Sequence, residues 1–204
     1  MACILFMMPD IAVKISTALI ISLTSNPFLP RSHEVVLSSH EISLENRYPV
    51  KSVNEIFKYN ILHTLDLMGE EEFILRPGET FAFHDDVMPE YKDSLVKTTN
   101  AHFNAQDGFK FSGLYYGDGV CHLASLIYWV ALDAGLNAKA PVNHNFMPIP
   151  EIERQFGVSI YSNPYSKGAN SQQNLYVTNN REKPVEFKFE YKDEKLKLEV
   201  VELN

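Results

Sequence analysis

Cys121 is the residue of this 204-residue chain whose position most directly suggests covalent chemistry. It follows Gly119 in the first turn of a segment with helical periodicity, and Gly117 lies just upstream. The free N–H groups and positive dipole end of a helix N-terminus favour a thiolate over a thiol. The same amides could stabilise an oxyanion during acyl transfer. The pattern predicts a nucleophilic cysteine, and the alternative is a buried cysteine that acts as a small hydrophobic residue.

A nucleophilic thiolate needs a base, and we expect His144 to supply it. His144 follows the predicted helix after one short extended segment, and a strand returning along the helix would bring it toward the helix N-terminus. Asn174, which opens a later predicted strand, is our choice to orient the imidazole, as in Cys-His-Asn triads. The predicted catalytic set is therefore Cys121, His144 and Asn174.

The residues around the cysteine are predicted to bind the substrate. The glycines would let the chain approach a substrate closely, and a charged histidine beside the cysteine would lower the pKa of its thiol. The predicted substrate-binding residues are Tyr116, Gly117, Asp118, Gly119 and His122. The histidines His84 and His102 could join Cys121 and His144 around zinc, but no metal-ligand spacing supports such a site. Neither a metal nor another cofactor is predicted.

Composition restricts the class of protein. Eighteen basic and twenty-six acidic residues give a net charge of −8, and no Lys/Arg cluster recurs along a helix face, which argues against a nucleic-acid partner. A hydrophobic content of 45% and an aromatic content of 12% indicate a globular fold. The length suits a single domain with a sizeable core.

The N-terminal part of the chain reads as a leader. Residues 1–30 are largely apolar, and the run 15–23 is long enough for a signal peptide but short for a membrane span. A signal-like or membrane-anchor leader is predicted, with a buried N-terminal helix as the alternative. Residues 31–46 read as a linker or, at 34–37, an edge strand, and 47–204 as the domain. This organisation predicts an exported or membrane-anchored protein, with membrane contact through the leader.

Two helices and a hairpin dominate the predicted domain. The first helix opens on the capping box Ser52-Val-Asn-Glu55 and ends at Gly69, and the second runs from Gly119 to Gly135. Segments 185–191 and 195–200 alternate strictly and predict an antiparallel hairpin. The expected class is α+β, with two main helices packed on a mostly antiparallel sheet that includes this C-terminal hairpin.

Three separated motifs resemble the VanW-like family. Gly117-Asp-Gly-Val-Cys-His-Leu-Ala-Ser-Leu-Ile-Tyr128, followed by Ala134-Gly-Leu136, is similar to its glycine-rich cysteine signature. Leu75-Arg-Pro-Gly-Glu-Thr-Phe-Ala-Phe83 resembles its Pro-Gly-Glu element, and Asn174-Leu-Tyr-Val-Thr-Asn179 resembles a later strand. Asn60 and His144 stand where the family carries an asparagine and a histidine. The resemblance covers about residues 45–200.

The chain departs from the family pattern at several positions. Asp118 stands at the middle glycine, His122 at the glutamine after the cysteine, Ala124 at a hydroxyl residue and Asn174 at an aspartate. Val158-Ser-Ile-Tyr161 replaces a segment that carries an acidic residue in the family. The helix-opening cysteine with a later histidine is also similar, more weakly, to transglutaminase-like and papain-like enzymes, an analogy of fold rather than of function.

The resemblance implies an envelope protein and leaves two functions open. One is a cysteine-dependent acyl transferase, amidase or peptidase that acts on peptidoglycan peptides. The other is a non-catalytic envelope module that binds peptidoglycan or another glycan, with Tyr115, Tyr116 and Trp129 lining a groove or simply packing. The oligomeric state is not predicted.

Overall fold

The computed structural model of the protein describes residues 34–69, 72–113 and 116–204. The predicted leader and Tyr115 lie outside these ranges. The helices are α1 (Lys51–Met68), α2 (Val120–Asp133) and α3 (Lys167–Gln172). The strands are β1 (Val35–Ser43), β2 (Glu72–Leu75), β3 (Thr80–Ala82), β4 (Leu95–Thr98), β5 (Asn137–Lys139), β6 (Tyr176–Thr178), β7 (Val185–Lys192) and β8 (Lys195–Glu202).

One four-stranded sheet is antiparallel throughout, in the order β1-β8-β7-β2. Its centre is the predicted C-terminal hairpin, which is confirmed. The alternation of apolar and polar residues places Phe187 and Leu198 in the core. Asp193 and Glu194 make the two-residue turn, and both have positive φ, as the turns that match strand twist require.

A second sheet has the order β4-β3-β6-β5. Strands β3 and β4 pair in parallel, whereas β3–β6 and β6–β5 are antiparallel. Helix α2 contacts β1 and β8 of the first sheet and β5 of the second. Most of its residues are buried, because it packs on several sides. The architecture confirms the predicted α+β class, with two main helices on mostly antiparallel strands.

The bounds of α1 correct the predicted capping box. The helix begins at Lys51 after Val50, and no side chain caps it, because helical geometry starts one residue before Ser52. The Ser52 hydroxyl therefore lies inside the first turn. The predicted end is confirmed, since Gly69 adopts a left-handed conformation with φ 82°.

Strand β1 corresponds to the edge-strand alternative for residues 31–46. It pairs with β8 along its length. It covers Val35–Ser43 and is therefore longer than the strand expected at 34–37. The Ser38 hydroxyl donates a hydrogen bond to the Val130 carbonyl of α2 at 2.7 Å. The sheet therefore begins ahead of residue 47, where the domain was expected to start. Within the described ranges, no helix is long and apolar enough to cross a membrane.

Candidate functional site

A cavity of about 540 Å³ lies at the N-terminus of α2. It is lined by Cys121 and His144 of the predicted catalytic set, but not by Asn174. The predicted substrate-binding residues all line it: Tyr116, Gly117, Asp118, Gly119 and His122. The sequence therefore identified residues that line one cavity, but it did not establish the contacts that these residues make with one another.

The glycine turn before α2 is shaped by packing against α1. Gly119 has φ 103°, and a Cβ atom on it would lie 2.8 Å from the carbonyl oxygen of Phe57. A side chain is therefore excluded at 119 on two counts, conformation and space. This corrects the expected reason for the glycine, because the close approach is to α1 rather than to a substrate.

Asn60 ties α1 to this turn. Its amide nitrogen donates to the carbonyl oxygens of Lys110 and Asp118 at 3.2 and 3.1 Å, and its amide oxygen accepts from the Lys110 N–H at 2.9 Å. The side chain is fully buried. The bond to the Asp118 carbonyl is buried, so the asparagine fixes the distance between the turn and α1.

The environment of Cys121 is the opposite of the predicted thiolate site. Its Sγ accepts a hydrogen bond from the Ile160 N–H at 3.4 Å and donates to the Ile160 carbonyl oxygen at 3.5 Å. Burial raises the pKa of the Cys121 thiol to about 11, and the negative charge of Asp118 acts in the same direction. The expected lowering of this pKa is therefore wrong, because desolvation outweighs the helix N-terminus.

The amides at the start of α2 are largely occupied. The N–H of Val120 donates to the Gly117 carbonyl at 3.1 Å, and those of His122 and Leu123 donate to the Gly119 carbonyl at 2.9 and 3.3 Å. These groups cannot also hold an oxyanion without breaking the turn. The start of α2 therefore offers fewer amides for an oxyanion hole than the sequence predicted.

The two histidines of the cavity are neutral at pH 7. Burial lowers the pKa of His122 to about 3, helped by the positive charge of Arg47, so the expected effect of a charged His122 on the thiol is absent. Burial also lowers the pKa of His144, whose Nδ1 lies 2.9 Å from the Met147 carbonyl oxygen. A carbonyl partner requires the proton on Nδ1, which leaves Nε2 as an acceptor.

His144 and Cys121 share the cavity without a bond between them. Within the described residues, no hydrogen bond joins the His144 ring to the Cys121 sulfur. The ring of His144 lies 6.0 Å from that of His122, centroid to centroid, in an edge-to-face arrangement. The general-base role of His144 therefore stays a prediction.

Asn174 does not orient His144, and this part of the predicted triad is wrong. Its amide oxygen accepts from the His84 N–H at 2.7 Å, and its amide nitrogen donates to the carbonyl oxygens of His84 and Asp86 and to the Tyr176 hydroxyl. The side chain is fully buried and completely used. Asn174 connects β6 to the segment after β3 and has a structural role.

Aromatic side chains that the sequence did not mark out form much of the cavity wall. Besides Tyr116, the aromatic residues lining it are Tyr48, Phe103, Phe111, Phe146 and Tyr161. Phe146 is 64% exposed and Tyr161 56% exposed, so the rim is open to solvent. Phe146 lies two residues after His144, and this proximity in sequence could have indicated that Phe146 lines the same cavity. Trp129, for which both groove lining and packing were expected as alternatives, packs: its ring stacks on His40 at 3.5 Å between ring centroids.

A family model described as VanW like protein matches residues 60–201, which is more than half of the chain. The chain belongs to the VanW-like family. No curated protein and no solved structure matches it significantly. The matched range holds the glycine turn, α2 and the C-terminal hairpin, so the resemblance is confirmed, and the family suggests an envelope-associated protein.

This VanW-like chain carries an acidic residue inside the cavity. Asp118 lies in the glycine turn and is only 7% exposed. Its Oδ1 accepts a hydrogen bond from the Tyr48 hydroxyl at 2.8 Å. The cavity of this chain therefore contains a buried carboxylate. No group of three His, Cys, Asp or Glu side chains suited to a metal occurs in the described part of the chain.

Proposed function

We propose that this protein is a non-catalytic module of the cell envelope that binds a fragment of peptidoglycan in the cavity at the start of α2. The observation that carries the proposal is the exposed aromatic rim. Phe111, Tyr116, Phe146 and Tyr161 all line this cavity and are all at least 47% exposed. Exposed aromatic groups gathered around one concavity mark a binding surface more often than a structural one.

The size and polarity of the cavity agree with this proposal. A volume of about 540 Å³ falls within the range of small-molecule sites. Aromatic faces supply apolar contact area, and hydrogen-bonding groups such as Ser159, Ser162 and Asn104 stand among them. A ligand with apolar ring faces and many hydroxyl or amide groups, such as a sugar linked to a short peptide, suits such walls. The envelope assignment comes from the family.

The cysteine-dependent acyl transferase or amidase remains the second candidate. One observation favours it, which is that Cys121 and His144 line the same cavity. The raised pKa of the thiol and its bonds to Ile160 argue against it. Catalysis would require the thiol to leave Ile160 and to transfer its proton to Nε2 of His144.

Calorimetry with purified muropeptides, released from peptidoglycan by a muramidase, tests the proposal. We expect the full chain to bind them, and Tyr116→Ala and Phe146→Ala each to weaken the affinity roughly tenfold, because each removes a large contact area. Tyr191→Ala is the matched control, since Tyr191 is an exposed tyrosine outside the cavity. Failure of the folded wild type to bind any muropeptide would overturn the proposal.

The same material separates the two functions. We expect Cys121→Ser to bind muropeptides as tightly as the wild type, and mass spectrometry to find no product after long incubation. Cleaved or transferred peptide products that depend on Cys121 would establish the enzyme instead.

A further inference from the structure

We propose that the ligand of this cavity carries a protonated primary amine, which the Asp118 carboxylate binds. The inference rests on the proposed function for the class of ligand, since a peptidoglycan peptide with a diamino acid presents such an amine. It rests on this chain alone for the binding group, because Asp118 is the one acidic residue among the described residues that line the cavity.

The position of Asp118 is the first argument. The residue precedes α2 by two positions, lines the cavity, and is more than nine-tenths buried. Among the described residues, Tyr48 is the one side chain that donates a hydrogen bond to this carboxylate. A carboxylate has room for several donors, so the Tyr48 hydroxyl leaves acceptor capacity toward the cavity.

The charges around the carboxylate are the second argument. Within the described ranges, no Lys or Arg lines the cavity, and both cavity histidines are neutral at pH 7. Arg47 lines a second cavity, which His122 also lines, and is paired with Glu151 at 2.6 Å. A buried carboxylate without a cationic partner is costly, and a ligand ammonium group would offset that cost.

The aromatic walls are the third argument. Tyr48, Phe103 and Tyr116 line the cavity together with Asp118, and the faces of such rings attract cations. An ammonium group is favoured by both the carboxylate and the rings. A ligand carboxylate placed there would be repelled by Asp118 and would find no basic side chain.

A purely structural role for Asp118 makes a different prediction. A negative charge ahead of a helix stabilises it through the helix dipole, and Asp118 lies at the N-terminal end of α2. That role would lower stability in Asp118→Asn but would not create a preference between amine and acetylated ligands. Ligand discrimination is therefore the measurement that separates the two.

The experiment compares two synthetic muramyl peptides that contain lysine, one with a free ε-amine and one with an Nε-acetyl group. We expect the wild-type chain to bind the free amine at least about tenfold more tightly, as a charge-assisted hydrogen bond provides. Asp118→Asn should bind both peptides equally. Asp93→Asn, at an exposed aspartate outside the cavity, removes the same charge and should keep the preference.

A small probe makes the result independent of the peptidoglycan assignment. We expect 1,5-diaminopentane to shift the NMR resonances of cavity residues in the wild type, and to do so at least tenfold more weakly in Asp118→Asn. If this holds while muropeptides do not bind, the amine site stands and the proposed function fails. Equal affinity of the wild type for both peptides, or a diaminopentane response unchanged in Asp118→Asn, would overturn the inference.

Discussion

The Cys121 thiol is protonated at neutral pH, because desolvation and the negative charge of Asp118 both raise its pKa. Its pKa of about 11 lies above its usual value, so the thiolate forms only in strongly alkaline solution. The two bonds with the Ile160 backbone hold the sulfur in place without ionising it. At this scale the residue behaves as a packed polar group at the edge of a cavity.

We expect iodoacetamide to alkylate native Cys121 at pH 7 at least roughly a hundredfold more slowly than a free cysteine. The reason is that the thiolate fraction falls tenfold for each unit by which the pKa rises. Peptide mass spectrometry reads Cys121 separately from Cys3. In urea the difference should vanish, since unfolding removes the burial. Alkylation at pH 6 that is faster than that of a free thiol would instead support the nucleophile.

At the scale of elements, α1 and the glycine turn form one structural unit. Asn60 bonds from α1 to the Asp118 carbonyl oxygen of the turn and twice to the Lys110 backbone before it, and Gly119 lets the turn and α1 approach closely. The glycine turn determines where α2 begins, and so it determines the positions of Asp118 and Cys121. The contacts of α1 with the turn therefore help to position the cavity wall.

We expect Asn60→Ala to lower the free energy of unfolding by about 2–3 kcal/mol, because the buried Asp118 carbonyl and the Lys110 backbone lose their partners. Thr64→Val is the matched control. Its hydroxyl is also buried in α1 but bonds only to the Asn60 carbonyl of the same helix, so a loss below about 1 kcal/mol is expected. Urea denaturation gives both values. Equal losses would contradict a connecting role for Asn60.

The sequence predicted those elements whose residues repeat with a clear period. Helix α2 and the hairpin β7–β8 were found because their apolar residues follow helical and strand spacing, and because Gly135 marks an end. The choice of Asn174 failed because it rested on order along the chain. Order did not reveal that its amide is taken up by the segment after β3.

The cavity walls were only partly predictable for the same reason. Phe103, Phe146 and Tyr161 lie in irregular segments, where no period relates a residue to its neighbours in space. The raised pKa of the Cys121 thiol also could not be predicted from the sequence. It depends on how completely segment 158–160 covers the sulfur, and Ser125 fixes that segment by accepting a bond from the Val158 N–H.

At the scale of the whole molecule, the described residues include three histidines buried in neutral form, which makes stability dependent on pH. Burial lowers the pKa values of His84, His122 and His144, so the unfolded chain binds protons that the folded chain does not. Stability is therefore fully present above about pH 6.5 and falls as the pH is lowered, for His122 down to its pKa of about 3.

We expect the free energy of unfolding to fall measurably between pH 6.5 and 5, and His122→Gln to reduce that slope by up to about 1.4 kcal/mol per pH unit. Urea denaturation at several pH values measures the free energy of unfolding and hence this slope. A His122→Gln slope equal to that of the wild type would contradict the assignment of this proton to His122.

The cavity draws its wall from residues as far apart in the chain as Tyr48 and Gln173. Such a wall exists only while the chain is folded, so occupancy and folding are thermodynamically linked. A compound present at 100 times its Kd adds about 2.7 kcal/mol to the stability of the native state. The melting temperature is consequently a readout of occupancy that needs no catalytic assay, and a library of envelope-derived compounds can be ranked by it directly.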